Sequence, residues 1–208
     1  IGKGKELEDS DYKKGTAYKA DQQTNEESDH ILWTSKINTA SKAYENLVIK
    51  DKLSGPQSYG DLDQFKLTKI TKDLNGKEIA REEITVNESM IEFNENRTEF
   101  SLKLGKTDAT YELSYPTKIE KQNPGSEPSK LSNSISRSEN GTVEKTVKDD
   151  VEVTWREAKD SLTKEGEKIT ENRIKWIIDY NLEQNDLGKE INIEDTISWY
   201  ANNINSFD

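Results

Sequence analysis

Ile31-Leu32-Trp33-Thr34-Ser35-Lys36-Ile37-Asn38 is the stretch on which the fold turns. Ile31, Trp33 and Ile37 fall on one face of an extended chain, and Leu32 and Lys36 on the other. That period of two is the mark of a half-buried β-strand. The alternation returns in Phe65–Ile70, Phe100–Leu104, Tyr111–Tyr115 and Val151–Trp155. Turn signals stand between these runs at Asn75-Gly76, Gly105-Lys106 and Asn140-Gly141. Two prolines and a glycine between Gln122 and Pro128 predict a loop. Glu165–Leu182 admits a helical period, but Ile174, Trp176, Ile178, Tyr180 and Leu182 alternate strictly, which predicts a strand. Many short strands with frequent turns predict an all-β sandwich.

Composition narrows the function classes. Of 208 residues, 30% are hydrophobic and 34% charged, so the strands can cover only thin cores. The net charge of −11 is spread along the length, and an acidic chain repels phosphate backbones, so no nucleic-acid partner is expected. No apolar run reaches membrane-spanning length, and no signal peptide is visible, so no membrane contact is expected within this chain. The absence of cysteine removes disulfides, thiolate metal sites and Cys nucleophiles. His30 is the single histidine, which makes triads and histidine-rich metal sites implausible and fits a strand start. The acidic run Glu6–Asp11 lacks an EF-hand pattern and reads as a solvated lead-in. No cofactor or metal is expected.

An internal repeat organises the chain. Ile31–Asn38 recurs as Ile174-Lys175-Trp176-Ile177-Ile178-Asp179-Tyr180-Asn181, with Asn five residues after Trp in both copies. Asp51 follows Trp33 by 18 residues within Val48–Ser54, and Asp195 follows Trp176 by 19 within Asn192–Ser198. Upstream, Lys19 precedes Trp33 by 14 residues and Lys164 precedes Trp176 by 12. The expected organisation is a lead-in over 1–10, one domain over 11–155, and over 156–208 the start of a second repeat that ends before completion. Trp33 and Trp176 read as core residues, and Asn38 and Asn181 as turn starters. Asp51 stands in a strand, where Asp is disfavoured, and Asp195 repeats it.

A Lys strand, W-x4-N, a V/I-x-D-x-L/I strand and then Tyr111-Glu112-Leu113-Ser114-Tyr115-Pro116-Thr117-Lys118-Ile119 follow in that order. This order resembles the collagen-binding-type domains of Gram-positive cell-wall adhesins, over residues 11 to 155 and again from 156. The resemblance implies an immunoglobulin-like β-sandwich in a stalk or binding head, secreted to the cell wall, often with an intramolecular Lys–Asn isopeptide bond assisted by a buried acid. By position, Lys19 matches the cross-linking lysine, Asp51 the acid and Asn133 the acceptor. Lys164 and Asp195 match in the second repeat, without their acceptor.

The chemistry is simple in outline. An ammonium has no lone pair, so burial must first lower the lysine pKa. An Asp kept protonated by an apolar setting can donate to the Asn carboxamide oxygen. The amine adds, ammonia leaves, and fixed strands supply the proximity. One bond forms per molecule, so no enzyme activity is expected. The repeat favours a stalk module. The alternative is a module that grips extracellular matrix such as collagen, which would call for an exposed aromatic or apolar trench. A glycan-acting enzyme, built on a carboxylate pair, has only the abundance of Asp and Glu behind it.

Overall fold

The computed structural model describes residues 6–20, 28–120, 129–153, 162–171, 173–180 and 192–196. They form two antiparallel sheets packed face to face, an immunoglobulin-like β-sandwich, and a separate two-stranded hairpin. In the first sheet β1 (Tyr12–Tyr18) pairs with β2 (His30–Ile37), then β9 (Thr110–Ile119), β5 (Lys66–Lys72) and β6 (Glu78–Ile84). The short β4 (Gln57–Tyr59) also pairs with β9. In the second sheet the order is β11 (Thr142–Val153), β10 (Ser129–Glu139), β3 (Tyr44–Ser54), β8 (Glu99–Thr107) and β7 (Ile91–Phe93). Among the described residues the sole helical element is a 3-10 turn at Leu62–Gln64, and no helix is long and apolar enough to cross a membrane.

Inward-facing residues of both sheets meet in one core. Ile31, Trp33 and Ile37 of β2 are buried while Leu32 is exposed, as their alternation predicts. Leu113 and Tyr115 of β9 face Ile49 and Leu53 of β3, Leu102 of β8, and Leu131 and Ile135 of β10 across the same core. Asn140 (φ 48°) and Gly141 (φ 83°) form the left-handed pair that a tight β10–β11 hairpin requires. Gly105 is not a turn, as its sequence suggests. It lies inside β8 at φ 70°, at a register shift opposite Leu47, so its conformational freedom serves a bulge. Asn38 does open the turn after β2: it sits at φ 58°, buried, with its amide donating to the carbonyls of Lys42 and Ala109. The loop expected at Gln122–Pro128 lies outside the described residues.

The acidic lead-in is packed rather than solvated. Asp11 is buried, accepts from the Thr39 backbone N–H at 2.8 Å, and pairs with Arg137 of β10 at 2.7 Å. Asp9 binds the same guanidinium at 2.5 Å and Lys145 at 2.7 Å. Those contacts outweigh the opposing effect of burial and hold the Asp9 carboxyl at about 2. A buried arginine on β10 needs such compensation, and the lead-in supplies it.

Among the described residues β12 (Leu162–Thr170) and β13 (Arg173–Tyr180) pair with each other alone. The strand expected for the second Trp stretch is present, but its Trp176 is 46% exposed instead of core. Two strands alone have no second layer against which to bury a face.

β1 is held against the core by a contact that only glycine permits. Gly15 lies opposite Trp33, and a Cβ placed there would come within 2.5 Å of the Trp33 ring and of Val151. Its N–H also donates to Asp149 of β11 at 2.9 Å, tying the first strand to the last of the domain. Gly15→Ala is expected to destabilise the domain by about 1–3 kcal/mol through overpacking against a ring that cannot move. The urea-unfolding midpoint measures this.

Candidate functional site

Five strands from both sheets deliver one polar cluster to the middle of the core. Lys13 comes from β1, Asp51 from β3, Tyr59 from β4, Tyr115 from β9 and Asn133 from β10. The register explains the meeting. Asn133 pairs with Leu53 and Ile135 with Asp51, so Asn133 and Asp51 are diagonal neighbours on the inward face of the second sheet. Across the core, Gly15 pairs with Trp33 and Trp33 with Tyr115, which brings Lys13, two residues before Gly15, beside the Tyr115 ring.

The Lys13 and Asp51 side chains have no solvent exposure, and Lys13 Nζ lies 2.9 Å from Asp51 Oδ2. Lys13 Nζ also donates to the Tyr115 hydroxyl. That hydroxyl donates to Asp51 Oδ2 at 2.5 Å, and Tyr59 donates to Asp51 Oδ1 at 2.6 Å. Asn133 Nδ2 donates to the Tyr115 oxygen at 3.0 Å, and Asn133 Oδ1 is buried without a hydrogen-bond partner. Aromatic rings wall the site: Tyr115 stacks on Phe65 at 4.8 Å and meets Phe100 and Tyr59 edge-on. Lys13 Nζ stands 4.5 Å from the centre of the Tyr115 ring.

Burial pushes the Lys13 amine below its ordinary value, against the pull of the Asp51 charge. Burial, with the Asp51 charge second, pushes the Tyr115 and Tyr59 phenols up. The two tyrosines therefore stay protonated as donors, and the lysine is shifted toward its neutral, nucleophilic form. An amine, a carboxamide and a carboxyl group held in a dry core are the ingredients of amide exchange. Among the described residues no cluster of His, Asp and Glu could hold a metal ion.

The predicted acid Asp51 and acceptor Asn133 are both in this cluster, but Lys19 is not the lysine that joins them. Lys19 lies beyond the end of β1, half-buried. The β1–β2 connection is longer than the β12–β13 connection, so counting back from the tryptophan reaches the wrong lysine. Register leads to Lys13, the lysine of the cluster. Lys13 precedes Gly15, opposite Trp33, by two residues, and Lys164 precedes Gly166, opposite Trp176, by two. A Cβ at Gly166 would likewise meet the Trp176 ring, at 2.6 Å. Lys164 pairs with Asp195 and stands 4.5 Å over the Trp176 ring. The shared K-x-G preceding the Trp strand was the missed signal in the sequence. Tyr59 and Tyr115 had no assigned role, and Asp51 was expected to reach Asn133 directly. Instead the Tyr115 hydroxyl bridges them.

A family model described as the collagen binding domain matches residues 11–153. The chain belongs to the collagen-binding domain family. Similar solved structures include the collagen-binding domain of a Staphylococcus aureus adhesin, at 16% identity and TM-score 0.45, covering 68% of this chain and 96% of that one. The collagen-binding subdomain of an Enterococcus faecalis surface protein matches at 18% identity and TM-score 0.45, covering 66% and 94%. The collagen-binding domain of an Erysipelothrix rhusiopathiae surface protein matches at 14% identity and TM-score 0.44, covering 68% and 47%. No individual curated protein sequence matches. In this family member the matched span ends with β11, and β12–β13 lie outside it.

Removing one member of the buried pair should be costly. In an Asn133→Ala background, which lacks the acceptor carboxamide, Asp51→Asn is expected to lose about 3–5 kcal/mol by leaving a buried cation unpaired. Adding Lys13→Met should recover most of that loss in urea unfolding, since no buried charge then remains.

Proposed function

We propose that residues 11–153 form a stalk module of a cell-wall-anchored bacterial surface adhesin, locked by an amide bond between Lys13 Nζ and Asn133 Cγ that forms without an enzyme. The observation that carries this is the dry cluster of a lysine with a lowered pKa, a carboxyl group and a carboxamide bridged by one tyrosine hydroxyl. Asp51 takes up the proton that Lys13 must lose to become a nucleophile. A structural hydrogen-bond network alone would leave no reason for the orphaned Asn133 Oδ1, which such a network would be expected to satisfy.

The bond would do mechanical work. It joins the first strand of one sheet to the penultimate strand of the other, so tension entering at β1 passes to β10 without loading the strands between. Closing a loop of this size by a cross-link adds about 4–5 kcal/mol in the chain-entropy account, which offsets the thin core and the lack of disulfides. One bond per molecule is maturation and not turnover. Residues 156–208 begin a second unit of the same kind, a reading supported by the repeated register of Lys164, Gly166 and Trp176 and by the Lys164–Asp195 pair.

The intact mass tests the bond. The purified protein is expected to be lighter than its sequence by one ammonia. Lys13→Arg should restore the full mass and Lys19→Arg should not. A wild-type protein at full mass would sink the cross-link.

A second reading, binding of collagen, is favoured by the outer face of the first sheet. Tyr12, Tyr18 and Leu32 are exposed there, beside a groove of about 710 Å³ lined by Tyr12, Thr34, Leu62, Glu83, Glu112 and Ser114. Its lining mixes aromatic and aliphatic side chains with polar and acidic ones, the character of a surface that grips another protein. Immobilised triple-helical collagen should retain the domain, and Tyr12→Ala with Leu32→Ala should weaken retention at least about tenfold if those anchors act as a hot spot. Equal retention of the double variant would place binding elsewhere, and no retention would leave the stalk role alone.

A further inference from the structure

We propose that Tyr115 is the proton-transfer residue of this site, and that its hydroxyl, rather than the Asp51 carboxyl directly, protonates the departing nitrogen of Asn133. The inference rests on the cross-link between Lys13 and Asn133 and adds to it the route by which protons travel.

Three reacting groups meet at one oxygen. The Tyr115 hydroxyl accepts from Lys13 Nζ, accepts from Asn133 Nδ2 at 3.0 Å, and donates its own hydrogen to Asp51 Oδ2 at 2.5 Å. Its hydrogen and both its lone pairs are thereby engaged. Asp51 is engaged as fully, with Oδ1 taking the Tyr59 hydroxyl and Oδ2 taking Lys13 and Tyr115. Asp51 therefore communicates with the carboxamide through Tyr115. The ring cannot swing away, since Phe65 stacks on it and Phe100 and Tyr59 close its edges. The phenol is also fully buried, with its ionised form strongly disfavoured, so it relays protons by giving one as it takes another, and never rests as a phenolate.

The proton count closes. Lys13 as ammonium gives one proton to Tyr115 while Tyr115 gives its own to Asp51, leaving a neutral amine and a neutral carboxyl. Nζ then bonds to Asn133 Cγ, and the carbonyl π pair moves to Oδ1. The added nitrogen, now positive, gives a proton to Tyr115 as Tyr115 gives one to Nδ2. The Cγ–Nδ2 bond breaks, the Oδ1 pair re-forms the carbonyl, and ammonia leaves. Of the three protons that began on Nζ, one stays on the amide, one leaves with ammonia and one replaces the Tyr115 proton that passed to Asp51. Tyr59 touches Asp51 but neither reacting nitrogen in this scheme, so it has no part in either transfer.

The full chain, synthesised in a cell-free system and sampled by intact mass over time, gives the rate of ammonia loss. Tyr115→Phe keeps the ring and removes the relay, and is expected to slow the loss at least about a hundredfold, the lower range of general acid–base catalysis. Tyr44→Phe, whose hydroxyl meets Glu144 and no member of the cluster, should stay within about threefold of wild type. Fluorotyrosine placed at 115 keeps fold and hydrogen bonds but makes the hydroxyl more acidic, and should change the rate at every pH tested; this arm holds even if the Phe variant folds poorly. Tyr115→Phe cross-linking at the wild-type rate, or an unchanged rate with fluorotyrosine, would overturn the relay while leaving the Lys13–Asn133 bond standing. A wild-type chain that never loses ammonia would overturn both.

Discussion

Placing Lys13 and Asp51 together in a dry core is the constraint that the rest of the domain must meet. Moving two such charges out of water costs several kcal/mol each, and their attraction repays this only when every remaining donor and acceptor is satisfied. Here the satisfaction comes from far apart in the chain. Asp51 takes hydrogen bonds from Lys13 on β1, Tyr59 on β4 and Tyr115 on β9. The pair therefore cannot exist until both sheets have formed and packed. A cluster that needs five strands also acts as a check on register, because a slip by one residue would turn its members to the solvent face.

Position within that frame depends on the Gly15–Trp33 contact. The indole is fully buried and its Nε1 donates to Gln57 and Thr117, which fixes the ring. A glycine opposite it lets β1 approach closely enough for Lys13 to enter the core. The same pair recurs as Gly166 and Trp176 in the hairpin, with Lys164 in the equivalent place and Asp195 as its partner. In the sandwich Lys13, Trp33 and Asp51 are buried, whereas in the hairpin Lys164, Trp176 and Asp195 are exposed. Covering by a second sheet separates a surface ion pair from a site able to shift the lysine pKa.

Strands with one buried face were legible because burial imposes alternation; β2, β5, β8 and β9 were all recognisable in this way. β6, with the sequence Glu78-Ile79-Ala80-Arg81-Glu82-Glu83-Ile84, was not, since almost all of it is exposed and nothing selects its pattern. The bulge at Gly105 read as a turn because a glycine with positive φ serves either purpose. Of the candidate site, Asp51 stood out as an acid in a strand, where Asp is disfavoured, and the position of Asn133 came from resemblance. The lysine was misplaced because its identity depends on cross-strand pairing, which a difference in loop length hides.

By itself, then, the sequence determined the all-β class, the inward residues of the long strands, the repeated stretch and the placing of Asp51 within a strand, since each leaves a local trace in period or composition. Only the tertiary structure decided that Lys13 is the buried amine, that Tyr115 stands between Asp51 and Asn133, and that the second tryptophan lies open. Those facts depend on which strands become neighbours and on what covers them. Neighbours are chosen by the packing of whole sheets, and a local stretch of sequence carries no record of that choice.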